Sequence, residues 1–156
     1  MNDNLRPPSG TIQGSRHLYP VRVFFEDTDL SGIAYHANYL KWCERARSDL
    51  LRVLGIDQRA AFEAAEGVYT VTEANIKWRR PAKFEDELVI ETTTNEIRAA
   101  SARMMQRIFR GEEVLAEVEI VAAFVTPEGR PRRQPAAWRE AFEAFADPNN
   151  AKKDSE

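Results

Sequence analysis

Cysteine is almost missing from this chain of 156 residues; Cys43 stands alone. No intrachain disulfide can form, which excludes a disulfide scaffold and points to a reducing compartment, the cytoplasm. Histidine is nearly as scarce, with only His17 and His36. His17 falls in a polar N-terminal stretch, so one histidine is left for any site. The spacing of Glu26, Asp27, Asp29 and His36 fits no metal loop. No apolar run approaches the roughly 20 residues of a membrane span. Residues 1–8, MNDNLRPP, lack the apolar stretch of a signal peptide. An excess of positive charge is absent too: the formal net charge is −3, which argues against nucleic acid as a partner. No Gly-rich phosphate loop occurs, which argues against a P-loop or dinucleotide fold.

What is present suits a single globular domain, with 43% hydrophobic and 30% charged residues. Residues 1–18 are polar and hold Pro7, Pro8, Gly10 and Gly14, the composition of a loose arm. Val21–Phe25 reads as a short strand. From Ala37 to Leu54 the period becomes helical: Tyr39, Cys43, Ala46, Leu50 and Leu54 recur at spacings of three and four. Such a helix is roughly 27 Å long, and a sheet can wrap around it. Asp57–Glu66 predicts a short second helix. Strand patterns follow at 68–80, 88–97, 101–110 and 114–126, with a hairpin turn at Gly111. Pro135–Ala146 predicts a terminal helix, and 147–156 a polar tail. Grouped strands and helices favour an α+β fold with an antiparallel sheet.

The chemistry concentrates where the first strand hands over to the long helix. Glu26, Asp27, Asp29 and His36 lie within eleven residues. A helix start offers unpaired N–H groups and a partial positive charge, so a carboxylate just ahead of it can act on a carbonyl which that end polarises. The same residues also serve plain turn chemistry, because Asp and Thr bond nearby backbone N–H groups. Cys43 with His36 is a poor thiol–base pair: the two lie about 10 Å apart along a helix axis, and Cys43 sits on the apolar stripe. Tyr35 and Tyr39 read first as packing residues. Lys77, Arg79, Arg80 and Lys83 form one basic cluster, and Arg130, Arg132 and Arg133 another. Each is a solvated face or a landing site for a phosphorylated ligand.

Val21-Arg-Val-Phe-Phe-Glu-Asp-Thr-Asp29, Gly32, Tyr35-His-Ala-Asn-Tyr39 and Glu44-Arg-Ala-Arg47 resemble the YbgC-type acyl-CoA thioesterases. These belong to the 4-hydroxybenzoyl-CoA thioesterase group of hotdog-fold enzymes. The resemblance continues through Ile76–Ala82, Met105–Ile108 and Pro131–Pro135. It implies a hotdog domain over 19–146, with the long helix wrapped by a five-stranded antiparallel sheet. It also implies a homodimer or homotetramer with active sites at the dimer interface. Asp29 matches the catalytic carboxylate, as nucleophile or general base. His36 matches the subgroup's histidine and lies where a backbone N–H polarises the thioester carbonyl. The expected substrate contacts are Tyr35, Asn38, Tyr39, Lys77, Arg79, Arg80 and Lys83, though the CoA phosphates can meet either basic cluster. The resemblance implies acyl-CoA as substrate, acyl carrier protein as a further candidate partner, and no metal or organic cofactor. Leu30-Ser31 departs from the small residues common after the second Asp, at a turn that abuts the acyl site. Two other readings are a hotdog dehydratase for hydroxyacyl thioesters and a non-catalytic acyl-CoA or acyl-carrier-protein binding module.

Overall fold

The computed structural model describes residue 2 and residues 4–149. The part of the expected tail at 150–156 lies outside the described residues. Six strands, β1 (Thr11–Gln13), β2 (Arg16–Arg22), β3 (Val68–Trp78), β4 (Glu87–Ile97), β5 (Ser101–Arg110) and β6 (Glu113–Val125), form one sheet in the order β1-β2-β4-β5-β6-β3. Every pairing is antiparallel. The helices are α1 (Asn38–Val53), α2 (Gln58–Glu63) and α3 (Ala136–Ala146). This is the hotdog arrangement, with α1 as the filling. The sixth strand is the short β1, an addition to the five expected.

Helix α1 lies along the sheet because its stripe fits. Tyr39, Trp42, Cys43 and Ala46 are buried against Val23, Leu88, Ile90, Ile108 and Val118, and Leu50 further along the stripe is buried too. Each large side chain so removed from water stabilises the fold by about 1.5–3 kcal/mol. Strand β6 supplies the sheet's regular inner row, with Ala116, Val118, Ile120, Ala122 and Phe124 buried at every second position. A second cluster forms where Phe142 of α3 meets Leu51, Ile56, Ala102 and Met104. Strand β3 is different. It is an edge strand, and most of its residues are exposed, on both faces.

Two expectations about the N-terminus are corrected. The first full strand begins at Arg16, not Val21, and Phe25 lies in a 3-10 turn, Phe25–Asp27. Nor are residues 9–18 a loose arm. His17 is fully buried, and its Nε2 lies 2.7 Å from Asp49 Oδ2 on α1. Gly10 N–H and Ser9 Oγ also donate to that carboxylate, each at 2.8 Å. Gly10 fits because it lacks a side chain: a Cβ there would stand 2.3 Å from the Leu18 carbonyl and 2.9 Å from Asp49 Oδ2. The polar composition reflects a polar clasp, built around one buried carboxylate.

Candidate active site

Residues 27–36 fold into a tight loop on top of α1. Asp29 N–H donates to Ile33 O at 3.1 Å, Gly32 N–H to Asp29 O at 3.0 Å, and Tyr35 N–H to Asp27 O at 2.8 Å. Gly32 turns the chain at φ +81°, a value that glycine adopts without steric cost. Ala34 N–H donates to Ala82 O at 2.9 Å, which ties the loop to the segment after β3. Asn38 Nδ2 donates to Asp27 O at 2.7 Å, joining the loop to the first turn of the helix. Tyr39 is buried, and its hydroxyl accepts from Ala82 N–H at 2.9 Å. The polar groups of Asn38 and Tyr39, expected to contact substrate, are thus engaged within the protein, holding loop and helix together.

The two acids of the turn are used differently. Asp27 Oδ2 accepts Phe24 N–H at 2.8 Å, a cap on the 3-10 turn. Asp29 is exposed at the loop tip, and its Oδ1 accepts both the Ser31 hydroxyl and, at 2.8 Å, the Ser31 N–H. Its Oδ2 has no protein partner among the described residues. The bonds from the Ser31 side chain and backbone hold the Asp29 carboxyl below the usual carboxylate range, and the nearby His36 adds to this. Asp29 is ionised at neutral pH, and one of its oxygens is free.

His36 stands between two aromatic rings. Tyr35 lies 4.4 Å away between centroids and Trp78 5.9 Å away, edge-on. Trp78 Nε1 donates to the His36 carbonyl at 3.3 Å. The N–H groups of Tyr35 and Asn38 go to the Asp27 and Tyr35 carbonyls. Those of His36 and Ala37, between them, find no acceptor among the described residues. Two free backbone donors at a helix start suit a developing oxyanion.

A groove of about 350 Å³ opens here, lined by Ile33, Ala34, His36, Tyr39, Trp78, Arg79, Arg80 and Pro81. The structure thus brings His36, Tyr39, Arg79 and Arg80 to one groove, with the Tyr35 ring against His36 and Asp29 close to the same histidine. The sequence reading missed Trp78. Its signal was an aromatic that closes an otherwise polar strand just before a basic run. Arg79 is neutralised by Glu117 at 2.7 Å and Arg80 by Glu113 at 2.9 Å. Lys77 and Lys83 lie outside the groove lining. The second cluster is at the far end of β3, where Arg132 donates to Glu66 O. Eleven strand residues, roughly 36 Å, separate the two ends. Cys43 is buried and its thiol pushed up to about 12 by burial, so it supplies no nucleophile. Among the described residues no three His, Cys, Asp or Glu side chains gather in a way that could hold a metal. No helix among them is long and apolar enough to cross a membrane.

Residues 23–145 match the family model of the thioesterase-like superfamily. The chain belongs to this superfamily, and it is a thioesterase. It is 36% identical to acyl-CoA thioesterase YbgC of Haemophilus influenzae over 107 residues, 69% of this chain and 79% of the relative. It is also 36% identical to acyl-CoA thioester hydrolase YbgC of Escherichia coli O6:H1 over 119 residues, 75% of this chain and 88% of the relative. The solved structure of a probable thioesterase from Bartonella henselae superposes with a TM-score of 0.74 at 35% identity, covering 77% of this chain and 99% of that one.

Proposed function

We propose that this thioesterase hydrolyses acyl-CoA to the free acid and CoA, with Asp29 as the attacking group. The observation that carries the reading is the pairing of the pinned, ionised Asp29 carboxylate with the two free N–H groups at His36 and Ala37. A thioester carbonyl set between them has its oxygen toward the N–H pair and its carbon toward the free Asp29 oxygen. Attack forms a carbon–oxygen bond and the thiolate of CoA leaves; water then adds to the Asp29 carbonyl of the mixed anhydride, so the acid departs with a former Asp29 oxygen and the carboxylate is restored with one oxygen from water. Both the nucleophilic route and base catalysis on water start from this ionised carboxylate, and labelled water separates them. In this reading His36 stabilises the carboxylate, and Tyr35 and Trp78 pack against the thioester arm.

In this reading Arg79 and Arg80, with Lys77 and Lys83 behind them, face the CoA phosphates, while Asn38 and Tyr39 position the loop from the protein side. The active species is at least a homodimer, because an exposed carboxylate in open water is a weak nucleophile and needs cover. The reducing cytoplasm suits the single thiol. Acyl carrier protein is a second thioester donor to test.

The deciding experiment is thiol release from a panel of acyl-CoAs and acyl-acyl-carrier proteins, followed by one turnover in ¹⁸O-labelled water. Rapid thiol release is expected, and the first turnover should deliver unlabelled oxygen from Asp29 to the product. Binding without thiol release would favour a sensor module. Loss of water from hydroxyacyl thioesters would favour a dehydratase. Label in the product of the first turnover would make Asp29 a base.

A further inference from the structure

The Asp29 carboxylate is held asymmetrically. Its Oδ1 takes two hydrogen bonds, one from the Ser31 hydroxyl and one from the Ser31 N–H at 2.8 Å, while Oδ2 takes none among the described residues. Both donors are neutral, and Asp29 forms no ion pair among the described residues. Asp86 shows the alternative. Its Oδ2 accepts Lys83 N–H at 2.8 Å but also Arg110 Nη1 at 2.8 Å. A guanidinium so close compensates the carboxylate and blunts any attack by it. The Ser31 donors fix one oxygen of Asp29 and leave its charge uncompensated.

The loop presets these donors. Thr28 and Ala34 pair across its base as an isolated antiparallel bridge, and Gly32 N–H returns to Asp29 O at 3.0 Å. Ser31 lies inside that turn and is exposed. Its hydroxyl has no partner but Asp29 among the described residues. The bond from the backbone N–H to the Asp29 side chain is enough to close such a turn. The hydroxyl is surplus to the turn, and it brings a second donor to the same oxygen. It belongs to Leu30-Ser31, the pair at which this chain departs from the thioesterase resemblance. Two preset donors on one oxygen are the geometry of an oxyanion hole.

Once Oδ2 has been acylated, Oδ1 is the oxygen left on Asp29 as a carbonyl. We propose that Ser31 is a catalytic residue of the second half-reaction, its hydroxyl and N–H forming an oxyanion hole for the Asp29 carbonyl of the mixed anhydride, an assignment that rests on the nucleophilic reading above. Asp29 stands at an exposed loop tip, so its Cγ is the carbon that water reaches while the acyl group fills the groove. Water adds to Cγ, and an electron pair of the Cγ–Oδ1 double bond moves onto Oδ1, toward the two Ser31 donors. One proton of the water passes to the CoA thiolate released in the first step. The double bond then re-forms, the Cγ–Oδ2 bond breaks, and the acid leaves as its carboxylate carrying Oδ2. The second proton goes to solvent, and Asp29 is a carboxylate again. The N–H pair at His36 and Ala37 serves the acyl carbonyl in the first step, and the Ser31 pair serves the Asp29 carbonyl in the second.

The test compares wild type, Ser31→Ala and Ser31→Thr, each as the full chain, on a medium-chain acyl-CoA. Ser31→Ala keeps the N–H and removes the hydroxyl. Losing one donor from an enclosed oxyanion hole costs about 10²–10³-fold. At the exposed Asp29 water replaces part of that donor, so deacylation should slow about tenfold or more. Thiol release should then show a burst of up to one equivalent per site before slow turnover, with the acyl-enzyme seen as a mass gain on the peptide that carries Asp29. The Ser31 hydroxyl does most to hold the Asp29 carboxyl low, so its loss should move the acid limb of kcat/KM to higher pH. Ser31→Thr keeps a hydroxyl and should restore most of the rate. A Ser31→Ala enzyme with wild-type turnover, or one slowed without burst or acyl-enzyme, would overturn the role of Ser31 in the second step.

The wild type in ¹⁸O-labelled water keeps this outcome apart from the nucleophilic reading. After one turnover it should carry label on Asp29 and release unlabelled acid. Label in the acid with none on Asp29 would sink nucleophilic attack itself, and the second oxyanion hole with it. Label on Asp29 together with an unaffected Ser31→Ala enzyme would sink the role of Ser31 alone.

Discussion

Asp29 and Asp49 are both held below the ordinary carboxylate range, and they could hardly be used more differently. Asp29 stands exposed at a loop tip, with one oxygen bonded to Ser31 and the other free. Asp49 is 2% exposed, and Ser9, Gly10, His17 and Arg52 all reach its two oxygens. A carboxylate with every lone pair engaged is a rivet: it can join segments but has nothing left for a substrate. One with a free oxygen beside unpaired N–H donors has capacity to spare. Residual bonding capacity, rather than pKa, separates a site from a fastening.

The sharpest way to break this contrast is to remove the charge from each acid in turn. Asp29→Asn should cut turnover by about 10²–10⁴-fold or more and leave the melting temperature nearly unchanged. Its neighbour is the control: Asp27→Asn still offers Phe24 N–H an oxygen and should keep most activity. Retained turnover in the first variant, with loss in the second, would move the chemistry to Asp27. Asp49→Ala should do the reverse. Buried partners left without their carboxylate typically cost about 3–5 kcal/mol, so denaturant melts should show a large loss of stability. Any surviving folded fraction should keep its turnover per folded molecule.

The difference between the two acids was only half legible in the sequence. The Asp27–Asp29 turn stood out because its partners are local: Ser31, Gly32 and Tyr35 follow within eight residues. Helix α1 and strands β4 to β6 were equally readable, because apolar spacing reports the faces they bury. Asp49 gave no such signal. It occupies a polar slot on an otherwise regular helix, and its partners Ser9, Gly10 and His17 lie 32 to 40 residues away. Neither β1 nor the first half of β2 has apolar alternation, so a bonded clasp looked like a tail. Trp78 and the exposure of β3 were hidden for a related reason: what covers a strand is decided by its neighbours, not by its own residues.

Removing the clasp from the other side gives a smaller effect. Deleting residues 1–14 takes away β1 and two of the four groups on Asp49, but leaves His17 and the core in place. A sequence reading of those residues as a loose arm expects no change. The structure instead predicts a loss of about 1–3 kcal/mol, the typical cost of leaving a buried polar group short of partners. Turnover should survive, since none of the described residues so removed lines the groove at His36. A truncated chain as stable as the whole would show that Ser9 and Gly10 contribute nothing net.

The mildest probe is acid. Burial alone would raise the Asp49 pKa, but the bonds from Gly10 N–H, His17 and Ser9 outweigh it and hold the carboxyl down. A group whose folded pKa is depressed adds stability that is fully present above its unfolded value, near 3.9. That stability is lost as pH falls through the lower, folded value. The wild-type denaturation midpoint should therefore drop steeply below about pH 4. Asp49→Asn is weaker at neutral pH but has no carboxylate to protonate, so its midpoint should fall less over the same interval. Asp29→Asn should follow the wild-type curve closely, because Asp29 is exposed and water screens most of what its shift could contribute. Midpoints measured at pH 7, 5, 4 and 3.5 for all three proteins separate the outcomes. Parallel curves for wild type and Asp49→Asn would mean that acid acts elsewhere, and that the clasp does not hold its carboxylate more tightly than water does.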